Sequence, residues 1–146
     1  MKLRIKRLDR SRDIALPAYE TQGASGLDLR AAVKEPVTLE PGEIQLVPTG
    51  LAVSIPKGYE GQVRARSGLA LKHGIGMVNA PGTIDSDYRG EIALVMMNWG
   101  KAPFVIKRGD RIAQLVIAPV SKVEVVEVDV LESTDRGDGG FGHSGM

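Results

Sequence analysis

Lys2-Leu3-Arg4-Ile5-Lys6 near one end of the chain, and Val123-Glu124-Val125-Val126-Glu127-Val128 near the other, alternate charged with aliphatic residues. A period of two is the signature of a half-buried antiparallel strand, one face on a core and the other in water. Working outward, short aliphatic runs recur at residues 3–8, 27–31, 43–47, 51–55, 62–65, 91–98, 104–106, 111–120 and 123–130. Eight prolines and 18 glycines punctuate the chain and leave little room for a long helix. Pro41-Gly42, Lys57-Gly58 and Arg108-Gly109 predict turns. The one helical stretch is Ser67-Gly68-Leu69-Ala70-Leu71-Lys72-His73, with Ser67 as its cap and Gly74 as its stop. The expected fold is all-β, a sandwich or barrel with one short helix and no internal repeat.

At 146 residues the chain makes one domain, long enough to bury roughly two-thirds of its unfolded surface. A net charge of +1, from 19 basic and 18 acidic residues, favours neither a nucleic-acid polymer nor an anionic membrane as the main partner. A small phosphorylated ligand stays compatible with it. The absence of cysteine excludes a disulfide framework, a thiolate nucleophile and a Cys-ligated zinc, and fits a cytoplasmic protein. Residues 1–10 lack a signal-like apolar region and no apolar run reaches spanning length, so a soluble chain is expected. Lys2, Arg4, Lys6, Arg7, Arg10 and Arg12 read as a solvated strand face.

Four segments carry polar residues that a sandwich does not need. In Ala24-Ser25-Gly26-Leu27-Asp28-Leu29-Arg30-Ala31, Asp28 lies inside an apolar strand, where an unpaired carboxylate is costly. It must be paired, solvated or near a metal, and Arg30 is not the obvious partner, because residues two apart stand well separated along a strand. In Arg64-Ala65-Arg66-Ser67-Gly68-Leu69 a strand runs into a helix start. There the first-turn N–H groups, Ser67 and Arg66 make an anion site, or else an ordinary Ser cap beside a surface arginine. Met77-Val78-Asn79-Ala80-Pro81-Gly82-Thr83-Ile84-Asp85-Ser86-Asp87-Tyr88-Arg89-Gly90 reads as a β-hairpin. Its rim offers Asn79 and backbone amides to the edge of a base, and Asp85 as a candidate general base. Asp87 suits the turn itself. In Gly109-Asp110-Arg111-Ile112-Ala113-Gln114-Leu115, Gln114 either reaches a phosphate or is the polar face of an edge strand.

Half of residues 136–145, Arg136-Gly137-Asp138-Gly139-Gly140-Phe141-Gly142-His143-Ser144-Gly145, are glycine. Ordering them costs close to the maximum backbone entropy, so the segment needs something to close over. Bare N–H groups cradle phosphate oxygens, Arg136 offers a two-pronged phosphate contact, and Phe141 a flat face for a base. The combination points to a nucleotide lid; the alternative is a disordered glycine-rich end.

Taken in order, Ser-Gly-Leu-Asp-Leu-Arg-Ala from Ser25, Arg-Ser-Gly-Leu-Ala from Arg66, Gly-Thr-Ile-Asp-Ser-Asp-Tyr-Arg-Gly from Gly82, Gly-Asp-Arg-Ile-Ala-Gln from Gly109 and Arg-Gly-Asp-Gly-Gly-Phe-Gly from Arg136 resemble the five motifs of the trimeric deoxyuridine triphosphatase (dUTPase) family. The resemblance spans Ser25 to Gly145. It implies a jelly-roll-like homotrimer with active sites shared among all three subunits, residues 1–132 forming the β domain and 133–146 the lid. It implies hydrolysis of dUTP to dUMP and pyrophosphate with Mg2+, which limits uracil in DNA and supplies dUMP for dTMP synthesis. Asp85 would activate the attacking water, and Asp28 would hold the metal through a coordinated water. Arg66, Ser67, Gly68 and Gln114 would bind the phosphates. Asn79 and the backbone of Gly82, Thr83 and Ile84 would read uracil, and Tyr88 would pack on the deoxyribose. From the tail, Arg136, Phe141 and Gly142 would bind substrate, Arg136 clamping the terminal phosphate and Phe141 covering the base. His143 stands where many members have serine, and reads as a lid residue; His73 reads as structural.

Two alternatives compete. The dCTP deaminase family shares the fold and much of the third motif, but alignment at Gly90 puts Val95 where its proton-shuttling glutamate stands, and valine moves no proton. A non-catalytic nucleotide-binding trimer is the other, against which Asp28, Asp85, Arg136 and Phe141 are all retained.

Overall fold

A computed structural model of the chain describes residues 1–140. Strand β1 (Arg4–Arg7) leads into a 3₁₀ turn (Asp9–Ser11), followed by β2 (Leu27–Arg30), β3 (Val37–Leu39), β4 (Ile44–Ser54) and β5 (Tyr59–Ala65). Then come helix α1 (Ser67–His73), β6 (Ile75–Met77), β7 (Gly82–Ile84), β8 (Glu91–Asn98), β9 (Phe104–Ile106) and β10 (Arg111–Pro119). All pairings are antiparallel, in sheets of order β1-β4-β8-β6, β2-β10-β5-β7 and β3-β9. The result is a mostly β, jelly-roll-like sandwich with one short helix, as the alternation predicts.

Side chains from all three sheets meet in one core, among them Leu29 and Leu115, Val47, Leu94 and Met96, and Leu39 and Ile106. Strand β8 shows why the pattern works: Ile92, Leu94, Met96 and Asn98 point inward while the residues between them are only partly covered. Burying Asn98 is tolerable because its amide donates to the carbonyls of Leu39 and Ala102 and its oxygen accepts from the Gly100 N–H. The three predicted turns are present, with Gly42, Gly58 and Gly109 at φ of 81°, 82° and 84°, a region glycine enters without steric cost.

Four expectations need correction. Residues 43–47 and 51–55 are not two strands but the single β4, interrupted by a register shift between Pro48 and Ala52 with Gly50 at φ +68°. A bulge absorbs the proline and glycine that separate the two runs in sequence. Residues 123–130 form no strand: among the described residues nothing pairs with them, and Val123, Val125 and Val130 are more than 80% exposed. An alternating sequence makes a strand only where a ladder partner stands beside it. Residues 77–90 are not a hairpin, since β6 pairs with β8 while β7 pairs with β5, so the link crosses from one sheet to the other. Finally, the helix cap is Arg66, not Ser67, and Ser67 is the first helical residue. Gly74 ends the helix in the left-handed conformation as expected, and His73 packs its ring on Phe104 at 5.0 Å.

Candidate functional site

Strand β10 lies between β2 and β5, which sets Gln114 directly opposite Asp28 on one side and Arg64 on the other. Gln114 is therefore central, not on an edge strand. Its Nε2 donates to Asp28 Oδ1 at 3.2 Å. Leu27 and Leu29 point into the core, so Asp28 faces the opposite side of β2, yet it is only 3% exposed. Residues 18–20 run beside it, with the Asp28 N–H donating to Ala18.

The partners of the buried carboxylate are two guanidinium groups. Arg111 Nη1 stands 3.2 Å and Arg66 Nη2 3.6 Å from Asp28 Oδ2. Arg111 also pairs with Glu20 at 2.8 Å, and its backbone carbonyl accepts a hydrogen bond from Arg66 Nη1 at 2.9 Å. A register shift between Arg111 and Ala113 separates Arg111 from the regular ladder with β2. Three residues expected to touch one phosphate–metal group, Asp28, Arg66 and Gln114, are thus brought together. Arg111 and Glu20 were not foreseen. For Arg111 a signal existed, because a charged partner is one of the three settings open to Asp28 and Arg111 precedes Gln114 by three residues; Glu20 lies in an irregular segment that carries none.

Oδ2 of Asp28 is buried without a hydrogen-bond donor among the described residues, although both guanidinium groups lie close by. An oxygen so placed suits the hydrogen of a metal-bound water. It suits a bare cation poorly, because two positive groups already flank it, and no three metal-ligating side chains cluster among the described residues. The donor set fits a hydrated Mg2+ that arrives with phosphates. Next to Arg66, the first-turn N–H groups of Ser67 and Gly68 have no protein acceptor among the described residues, and the space beside the Gly68 Cα is open.

The other predicted residues gather on the link between the sheets. Asn79 packs against Gly82, where an added Cβ would lie 3.3 Å from the Asn79 amide nitrogen. Thr83, Asp85 and Tyr88 are exposed and Ile84 is half-buried. The Tyr88 N–H donates to the Asp85 carbonyl at 3.2 Å, which closes a tight turn. Asp85 borders a cavity of about 250 Å³ with Tyr59, Glu60 and Lys122. Val95 lies on β8 opposite Leu46 in an apolar setting. Arg136 is exposed and donates to the Gly139 carbonyl. Phe141, Gly142 and His143 lie outside the described residues.

Asp85 and Asp28 are far apart. Ile84 stands opposite Gly61 at one edge of the sheet, Asp28 opposite Gln114 at the other. Three strand spacings and four residues of register separate the two acids, about 19 Å in a flat sheet with ~4.8 Å per spacing and ~3.3 Å per residue.

Residues 12–145 match the dUTPase family. A deoxyuridine 5'-triphosphate nucleotidohydrolase of Anaeromyxobacter sp. (strain Fw109-5) is 65% identical over 132 residues, which is 90% of this chain and 88% of that protein. The enzyme of that name from Caldanaerobacter subterraneus subsp. tengcongensis is 54% identical over 99% of this chain and 97% of its own. Among solved structures, a variant dUTPase of Staphylococcus bacteriophage 80alpha with dUpNHpp superposes with a TM-score of 0.88 at 31% identity, covering 99% of both chains. A variant dUTPase of phage phi11 of S. aureus, described with a structural Mg(II) ion, superposes at 0.80 with 29% identity over 91% of this chain and 100% of its own.

Proposed function

The chain belongs to the dUTPase family, and from that premise we propose that it hydrolyses dUTP to dUMP and pyrophosphate with Mg2+ in the cytoplasm. The observation that carries the reading is the buried Asp28 carboxylate holding Arg66 and Gln114 at one point. In this scheme Arg66, Gln114 and the N–H groups of Ser67 and Gly68 bind the phosphate chain. When bound, magnesium neutralises the triphosphate and polarises it toward attack. Asp28 would hold the hydrated ion indirectly, through water. Asp85 takes a proton from the attacking water; the water oxygen bonds to the α-phosphorus as the α–β bridging bond breaks, and its electron pair leaves with pyrophosphate. Asn79 and the backbone of residues 82–84 read the uracil edge, where a mismatched donor leaves a buried polar group unpaired. Arg136 clamps the terminal phosphate, Phe141 covers the base, and Gly142 binds substrate. The reaction lowers dUTP and supplies dUMP.

We further propose a homotrimer that shares its sites. Acids about 19 Å apart in a flat sheet cannot serve one phosphorus atom, so Asp85 of one subunit must meet Asp28 of another. Two features support association. The outward faces of β4 and β8 pair Ile44 with Met97 and Leu46 with Val95, with Leu46 66% exposed. Residues 123–130 also carry strand alternation with no partner in their own chain among the described residues.

Pyrophosphate release from dUTP, run beside dCTP, dTTP and UTP, tests the activity; release from dUTP alone is expected. Asp85→Asn should keep dUpNHpp binding while kcat falls by on the order of a thousandfold. Turnover near wild type in that variant would remove Asp85 from its role.

A further inference from the structure

We propose that Gly90 is the positioning residue for sugar selection: its missing side chain is the seat of the Tyr88 ring. The inference rests on the reading that Tyr88 packs on the deoxyribose. A Cβ built on Gly90 would lie 2.5 Å from Tyr88 Cζ and 2.9 Å from Cε2, and closer still to the phenol oxygen. Real Cβ atoms do not approach this closely, so any other residue at 90 evicts the ring. Seated there, the hydroxyl donates to the Glu91 carbonyl at 3.0 Å, which fixes the ring at its outer end.

The backbone that carries the ring is held separately. Arg89 Nη1 donates to the carbonyls of Ser86 at 2.8 Å and Tyr88 at 2.7 Å, and the Tyr88 N–H closes the turn on Asp85. Losing the ring's seat therefore leaves the turn, and with it Asp85, in place. Gly90 governs which sugar is accepted and not whether water is activated. A ring packed on the deoxyribose leaves no room for a 2′-hydroxyl, and a ring swung off this seat no longer bars one.

The test measures kcat and KM for dUTP and UTP in wild type, Gly90→Ala, Tyr88→Ala and the double variant. Gly90→Ala should lower the dUTP/UTP ratio of kcat/KM on the order of ten- to hundredfold, while kcat on dUTP changes less than about threefold. In the Tyr88→Ala background, Gly90→Ala should add nothing further, because both act through one ring. Additive losses would overturn the inference. So would a Gly90→Ala enzyme that keeps wild-type discrimination while Tyr88→Ala loses it. If Tyr88→Ala itself discriminates like wild type, the sugar role of Tyr88 falls and this inference with it. Should Gly90→Ala fail to fold, recovery of folding in the double variant supports the seat, and no recovery overturns it.

Discussion

Replacing Asp28 by asparagine removes one negative charge from between two positive ones and changes almost nothing in shape. The oxygen that accepts from Gln114 survives, but an amide N–H₂ then faces Arg66 and Arg111, donor against donor. Breaking a fully buried ion pair from one side costs about 3–5 kcal/mol. Here the Arg66 and Arg111 side chains keep 28% and 36% of their exposure, so water offsets part of the loss; about 2 kcal/mol is the expected cost. For a chain this long that lowers Tm by about 6 °C, at roughly 3 °C per kcal/mol. Thermal unfolding at fixed protein concentration measures it, since the proposed association would make Tm concentration-dependent. Metal-free pyrophosphate supplies the second readout. In the variant it meets two cations with no carboxylate between them, so it should raise Tm more than in wild type; with magnesium present the order should reverse. A Tm within about 1 °C of wild type, with equal pyrophosphate responses, would refute the view that Asp28 organises the arginines.

Other substitutions test other parts of the molecule. The Arg108 side chain, hydrogen-bonded to Asp13 at 2.6 and 2.8 Å, holds that carboxyl at about 2, below its ordinary 3.8. A depressed folded pKa gives stability that is present above the ordinary value and is lost as pH falls through the folded one. Wild type should therefore exceed Asp13→Asn in Tm near neutrality, and the gap should close between about pH 4 and pH 2; a constant gap would contradict the pairing. Gly50→Ala puts a Cβ 2.5 Å from Ser11 Oγ at a φ of +68°, and should cost about 2–4 kcal/mol in denaturant unfolding. Removing residues 136–146 should abolish most hydrolysis and leave the proposed trimer intact by light scattering. A monomer would make the tail architectural.

How much the sequence discloses depends on how local the cause is. Turns at Gly42, Gly58 and Gly109 are legible because a positive φ is a property of one residue. The inward rows of β8 are legible because one core faces one side of the strand. The β4 bulge is not, because distant residues hold it: the Gly50 N–H donates to Glu91 Oε1 at 2.7 Å, and Thr49 Oγ1 to the Ile92 carbonyl at 2.6 Å. Read along the chain, Pro48 and Gly50 look like a break. The alternation of residues 123–130 is real, but a strand is a relation between two segments and the second is not in this chain's described fold. The need for a partner of Asp28 was legible from burial alone; that the partners are Arg66 and Arg111 required the register of three strands.

On the proposed reading, the same cluster lets a nearly neutral protein take a highly charged substrate. Arg66 and Arg111 balance Asp28 and Glu20, so the four side chains carry no net charge before substrate binds. Holding the arginines on a buried carboxylate fixes their geometry during folding, which spares the rotamer entropy of collecting two long side chains around a phosphate later. Neutrality also means that triphosphate alone gains little net Coulomb attraction there, since Asp28 repels what the arginines attract. On the proposed reading, a triphosphate that brings its own divalent cation would meet complementary charge throughout, its phosphate oxygens at Arg66 and Gln114 and its hydrated metal beside Asp28. If the proposed reading holds, selection for the metal-loaded nucleotide over the free one would follow from a single buried carboxylate among arginines, with no metal cage of side chains required.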